Sequence, residues 1–184
     1  MKKVLFAAIL SFFAIANQAN AQIYFTKQGK IHFYSKTKME AIEASNKTVN
    51  AVLDASSGKI EFGVTVKGFR FEKALMEQHF NENYMESEKF PKATFKGKID
   101  DLSAVNFSKD GTYNLTVTGD MTIHGVTKKM TYPGQIIVKG TAVTIKSKFD
   151  VVYDDFKIEI PGVVRENFTK SMACDLEAPL TLKK

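Results

Sequence analysis

The chain has 184 residues, enough for one domain with a sizeable core, and 26 basic against 20 acidic residues. The basic residues are spread among acids and include only two Arg, Arg70 and Arg165, so no nucleic-acid footprint is expected. Cys174 is the only Cys, which excludes an intramolecular disulfide, and stability has to come from packing and hydrogen bonding.

Residues 1–21 predict a cleavable export signal. Lys2 and Lys3 form a positive start, residues 4–15 are apolar except for Ser11, and Ala19-Asn20-Ala21 is a small-x-small cleavage site. The apolar run is shorter than the roughly 20 residues a spanning helix needs. The expectation is cleavage after Ala21, no stable membrane anchor, and a single domain over residues 22–184. Losing Lys2 and Lys3 brings the formal charge from +6 to about +4.

From there the dominant period is two. Weaker strand candidates lie at residues 30–35, 39–44 and 47–54. Ile60, Phe62, Val64 and Val66 then alternate with polar residues, after the turn signal of residues 54–58. Residues 71–84 break this rhythm. Phe71, Leu75, Met76, His79, Phe80 and Tyr84 recur at three- and four-residue spacing, which predicts one amphipathic helix. Pro91 cannot extend it. Ala93, Phe95 and Ile99 resume the alternation, and residues 113–123 give its clearest case, with Leu115, Val117, Met121 and Ile123 on one face.

His124-Gly125 predicts a two-residue hairpin turn, and Pro133-Gly134 a break or bulge in the returning strand. Val143, Ile145 and Phe149 form the next apolar face. Residues 154–162 read as a loop, and Met172, Cys174, Leu176, Leu180 and Leu182 share a face of the last strand. About eight to ten antiparallel strands with one helix suggest an all-β barrel or sandwich, and one-faced alternation in nearly every strand favours a single curled sheet, an antiparallel barrel of about eight strands. Gly63, Gly97 and Gly119 inside strands mark curvature, or space where a ligand or a neighbouring backbone approaches.

Two stretches carry a family resemblance. One is Phe71…Met76-x-x-His79-Phe80-x-x-x-Tyr84-Met85-Glu86-Ser87 with Lys89-Phe90-Pro91-x-Ala93-x-Phe95-x-Gly97. The other is Val117-Thr118-Gly119-Asp120-Met121-Thr122-Ile123-His124-Gly125-Val126-Thr127-Lys128. Together they resemble the YceI-like family. The resemblance implies an extended lipocalin-like β-barrel, a periplasmic location, an apolar interior that binds a polyisoprenoid or similar amphiphilic lipid, and no catalytic residues. The alternative left open is a barrel filled by its own side chains, serving as a structural or interaction module.

Under the lipid-binding reading, the cavity lining expected is Phe62 and Val64, then Phe71, Leu75, Met76 and Phe80 from the helix, Phe95, Leu115, Val117 and Met121, Ile145 and Phe149, and Met172 and Leu176. No cofactor is expected, and self-association into a homodimer is left open. His32, His79 and His124 fall at no metal-ligand spacing, so no metal site is expected. There is no Gly-x-Ser-x-Gly elbow, His-Glu-x-x-His motif or phosphate-binding Gly loop. Cys174, alternating with apolar neighbours on its strand, reads as a buried and inert thiol.

Overall fold

The computed structural model describes residues 22–36, 41–165 and 169–183; the expected export segment 1–21 lies outside them. Eight strands follow in chain order: β1 (Ile23–Lys36), β2 (Ala41–Asp54), β3 (Lys59–Thr65), β4 (Lys92–Ile99), β5 (Gly111–Ile123), β6 (Val126–Lys139), β7 (Ala142–Val152) and β8 (Ser171–Leu182). Each pairs antiparallel with the next, and β8 pairs with β1, so the sheet is a closed barrel. The period-two sequence explains the closure. In β8, Cys174, Leu176, Ala178 and Leu180 are buried while Ala173, Asp175, Glu177 and Pro179 are exposed. Such one-faced strands bury their apolar row only by curling around it. Leu53, Ile60, Val49 and Val143 are almost wholly buried, each worth about 1.5–3 kcal/mol on transfer from water.

The strands differ from the sequence expectation mainly at the start. β1 begins at Ile23, well before residue 30, and the segments expected at 39–44 and 47–54 are joined in one strand, β2, from Ala41 on, residues 39 and 40 lying outside the described ones. Ser45 and Asn46 are the polar pair between the two expected segments. It stays extended because Asn46 is buried and fully engaged: Nδ2 donates to the Thr65 carbonyl at 2.9 Å, and Oδ1 accepts from the Thr48 amide at 2.9 Å. The side chain thus bridges to the chain end of β3, where the β2–β3 ladder has already stopped.

The hairpin between β5 and β6 has both central residues in the left-handed region, His124 at φ 51° and Gly125 at φ 73°. That is the backbone twist a two-residue hairpin requires. The β5–β6 ladder runs unbroken from Ile123↔Val126 to Gly111↔Val138, straight through Pro133 and Gly134. The expected interruption appears on the other side only. Pairing of β6 with β7 stops at Gln135↔Lys146, and the Ser147 hydroxyl donates to the Pro133 carbonyl at 2.6 Å in place of a ladder bond. Beyond that point a 3₁₀ turn, Tyr153–Phe156, packs beside β6. Asp155 of this turn pairs with Lys128, and the Phe156 carbonyl lies 3.3 Å from His124 Nδ1.

The expected helix is present but starts later. α1 covers Ala74–His79 and continues as a π-helical turn, Phe80–Tyr84. Phe71 lies in the segment that leads into it. A single further turn, α2, spans Gly162–Arg165.

Two of the three strand glycines mark a close approach of backbone. Gly97 and Gly119 face each other across β4 and β5, and a Cβ on Gly119 would stand 2.3 Å from Gly97 Cα and 2.4 Å from the Lys96 carbonyl oxygen. Gly63 has open space on its side. Gly119→Ala is therefore expected to cost about 1–3 kcal/mol, whereas Gly63→Ala should hold or raise stability. Urea unfolding of both variants checks this, and equal losses would contradict it.

The β2–β3 turn adds a pH dependence. Both the amides and the hydroxyls of Ser56 and Ser57 donate to the Asp54 carboxylate, which lowers its pKa from 3.8 to about 2. A carboxyl whose folded-state value is depressed stabilises the fold above its unfolded value and loses that contribution as it protonates. Asp54→Ala should be less stable than wild type at neutral pH. The difference should narrow as pH falls from 3.8 through about 2, as followed by denaturant midpoints across that range.

Candidate functional site

The inward rows of the strands do not fill the barrel. They enclose a central cavity with about 130 Å³ open to the centre of a water molecule. One water needs about 10–15 Å³ on this measure, so the space is far larger than a packing defect. Phe62 and Val64 enter from β3, Phe95 from β4, Leu115, Val117 and Met121 from β5, Ile145 and Phe149 from β7, and Met172, Cys174 and Leu176 from β8. Tyr132 of β6 stands against Phe149 at 4.7 Å and Phe95 at 6.2 Å between ring centroids.

A second apolar chamber of about 230 Å³ adjoins the first beside α1. Phe33, Phe80, Met85, Ile158 and Met172 line both, so they form the partition between the chambers. Phe71, Met76, His79 and Tyr84 line the second chamber from the helical side, and Ile160 and Tyr153 from the segment after β7. Phe33, Phe69, Phe71 and Phe80 form one aromatic cluster with centroid separations of 5.1–5.7 Å. Such edge and tilted contacts are favourable by about 0.5–1.5 kcal/mol each beyond area burial. α1 itself has no buried residue. It lies over the second chamber, tied by the Arg70–Glu77 ion pair at 3.0 Å and continued by the π turn whose Phe80 joins the aromatic cluster.

Of the fourteen side chains expected to line a cavity, the structure brings eleven to the central one: Phe62, Val64, Phe80, Phe95, Leu115, Val117, Met121, Ile145, Phe149, Met172 and Leu176. Phe71 and Met76 sit in the second chamber. Leu75 does not line either chamber and is 62% exposed, which corrects its expected place. The reason is the later helix start: with Ala74 the first helical residue, Leu75 lies on the outer side of the first turn, and Phe71 is no longer its helical neighbour.

Several lining residues escaped the sequence reading. Tyr132 was legible, since Met130, Tyr132, Gly134, Ile136 and Val138 alternate in the same way as β5. Phe33, Phe69 and Ile158 carried no such signal. Phe69 and Ile158 lie outside the strands, and β1 was expected only as a weak segment.

The electrostatics of the cavity are those of an apolar interior. No Lys, Arg or His lines the central chamber among the described residues. Burial, helped by Asp150, pushes the Cys174 thiol up to about 12. Burial likewise raises the Tyr132 phenol to about 12, with Cys174 and the nearby Asp155 and Asp150 adding to the effect. The three His are scattered. His32 lies 3.4 Å from Glu43 on the barrel exterior, His79 lines the second chamber, and His124 lies 2.8 Å from the Glu86 carboxylate with its ring edge-on to Phe90. Among the described residues no three His, Cys, Asp or Glu are grouped to hold a metal ion, and no helix is long and apolar enough to cross a membrane.

A thiol that ionises only near 12 is a poor nucleophile. Native protein treated with iodoacetamide at neutral pH is expected to leave Cys174 unmodified while urea-unfolded protein reacts readily. Comparable rates, read by mass spectrometry, would contradict the burial.

Three solved structures share this architecture. A polyisoprenoid-binding domain from Saccharophagus degradans, implicated in plant cell wall breakdown, superposes with a TM-score of 0.75 at 11% identity, over 89% of this chain and 99% of that one. Burkholderia cenocepacia BcnA gives 0.68 at 17% identity, over 83% and 96%. The Campylobacter jejuni YCEI protein gives 0.50 at 16% identity, over 100% and 99%. At these identities the likeness is one of fold. No curated protein matches the sequence. The YceI-like domain family matches residues 16–178, which takes in all eight strands except the end of the last. The barrel, the helix beside its second chamber and the Gly-Asp-x-Thr-Ile-His-Gly segment at the β5–β6 hairpin thus have one origin: the chain belongs to the YceI-like family.

Proposed function

We propose that this protein binds a polyisoprenoid or similar amphiphilic lipid inside the barrel and acts as its carrier or buffer in the periplasm. The observation that carries this reading is the pair of adjoining apolar chambers at the core of the barrel. A closed sheet could bury the same side chains against one another. Leaving the space open forfeits packing, which makes sense where another apolar body fills it. The relationship to a family with a polyisoprenoid-binding domain among its folds supports the lipid class. The role is binding rather than catalysis, because the lining offers apolar surface and a poorly ionisable thiol in place of a nucleophile–base pair. The export-signal pattern of residues 1–21 supports the compartment, where a lipid crossing water needs a shield.

The energetics are adequate. Drug-sized ligands gain about 0.3 kcal/mol per heavy atom, so an isoprenoid of roughly thirty carbons reaches about 9 kcal/mol, a sub-micromolar affinity.

Protein isolated from the periplasm of its own host is expected to yield a co-purified lipid on organic extraction, with a matching mass shift in native mass spectrometry. Protein without bound lipid that also fails to take up added isoprenoid would overturn the reading. Leu115→Trp places a larger ring in the central chamber. It should abolish uptake while changing stability by less than about 1.5 kcal/mol, whereas in a filled core the same change would unfold or strain the barrel. A thermal melt alongside an uptake assay separates the two.

A further inference from the structure

Among the described residues three other than glycine have positive φ: Glu86 at 41°, His124 at 51° and Lys157 at 53°. Side chains seldom adopt this conformation, and it persists where the surroundings enforce it. Far apart in the chain, the three come together at one place. The His124 ring has Nε2 2.8 Å from Glu86 Oε2 and Nδ1 3.3 Å from the carbonyl oxygen of Phe156, the residue before Lys157. Phe90 closes a third side, edge-on to the ring, and packs so tightly on Gly125 that a Cβ there would stand 2.4 Å from it. The His124 side chain is 11% exposed.

Each of the three segments joined at this ring carries a wall of the chambers. Ile123, next to His124, lines the central chamber. Met85, next to Glu86, and Ile158, two residues beyond Phe156, belong to the partition. The ring thus ties the β5–β6 hairpin to the segment after the π turn and to the turn after β7.

How well it ties them depends on one proton. A carbonyl oxygen only accepts, and so does an ionised carboxylate. A protonated imidazole donates from both nitrogens and satisfies both partners. A neutral one carries a single N–H and leaves its other nitrogen facing an acceptor. The remaining charges around the ring are mostly compensated. Lys89 lies 3.8 Å from Glu86 Oε1, Lys128 of β6 pairs with Asp155, and Asp154 pairs with Arg165, which leaves Lys157 as the remaining charge of the turn.

We propose that His124 is a proton-operated latch on this end of the barrel. Protonated, it holds the Glu86 and Phe156 segments against the β5–β6 hairpin. On losing its proton it releases one of them and loosens the partition, so the end opens as pH rises through the range of about 5 to 8 in which an imidazole exchanges its proton. Control of ligand entry through this end rests on the lipid-binding reading above; the latch itself does not.

Two variants separate the states. His124→Asn removes the ring and leaves an Asn-Gly turn, which suits the left-handed hairpin. Glu86→Gln keeps the ring and supplies an amide that can donate to the nitrogen left bare when the ring is neutral. Hydrogen exchange of residues 85–90 and 156–158, corrected for intrinsic rates, is read by mass spectrometry at about pH 5.5 and about pH 8. Wild type should lose protection about three- to tenfold at the higher pH. Glu86→Gln should stay protected at both, His124→Asn at neither, and the β1–β8 ladder should be alike in all three. Wild type without this pH dependence, or His124→Asn retaining it, would overturn the latch. The rate of uptake of N-phenylnaphthylamine, a neutral apolar probe, reads entry and should follow the same pattern. Uptake that ignores the latch would overturn its control of entry. Uptake by none of the three proteins would overturn the lipid-binding reading and leave the latch to the exchange data.

Discussion

Pairing of the first strand with the last turns the sheet into a wall. β1 meets β8 from Tyr24↔Leu182 to Tyr34↔Ala173, with an irregularity between Phe25 and Lys30. A sheet of strands this long, left open, would expose two rows of unpaired amides and carbonyls. Closing it removes both edges and leaves every inward side chain facing another across a fixed diameter. That diameter is the constraint from which the interior follows. Eight strands give a lumen just wide enough to be filled by large side chains or to hold a small ligand, and the choice between the two rests on which residues face in.

Here the inward residues leave room. Val117, Val64 and Ile145 are modest in size at mid-barrel, and Gly97 and Gly119 let β4 and β5 approach so closely that no side chain fits between them. One group of aromatics gathers toward α1, where Phe33, Phe69, Phe71 and Phe80 pack against one another, while Phe62, Phe95, Tyr132 and Phe149 stand around the central chamber. The core is thus divided: a tightly packed aromatic partition near the helix, and an open chamber beyond it. The helix that covers the second chamber buries none of its own residues, which sets it among the less firmly held parts of the fold.

Particular residues show how far sequence reasoning reached. β5 was legible residue by residue, because each inward position is apolar and each outward one polar, and a strand half-buried on one face requires just that pattern. The His124-Gly125 turn was equally plain, since it is short and its Gly announces positive φ; that His124 shares the left-handed conformation was not. β2 was misread as two pieces, because Asn46 is polar in sequence and buried in space. The helix start was misplaced because Phe71 matches the helical spacing yet lies before the helix, with its amide donating to Glu77 Oε2 and its ring tilted against Phe80 in the aromatic cluster.

Sequence by itself determined the fold class, the hairpin turns, the inert thiol and most of the inward face. These follow from local rules: side chains alternate in a strand, tight turns need residues that tolerate positive φ, and a Cys in an apolar row goes inside. Only the tertiary structure decided whether that inward face meets itself or encloses space, that α1 leaves Leu75 in water while Phe80 reaches the partition, and that the Tyr132 hydroxyl is stranded inside. The physical reason is the same in each case. Alternation tells a side chain which way to point, but the distance to the wall opposite is set by closure, register and the approach of Gly97 to Gly119, all of them relations between segments far apart in the chain.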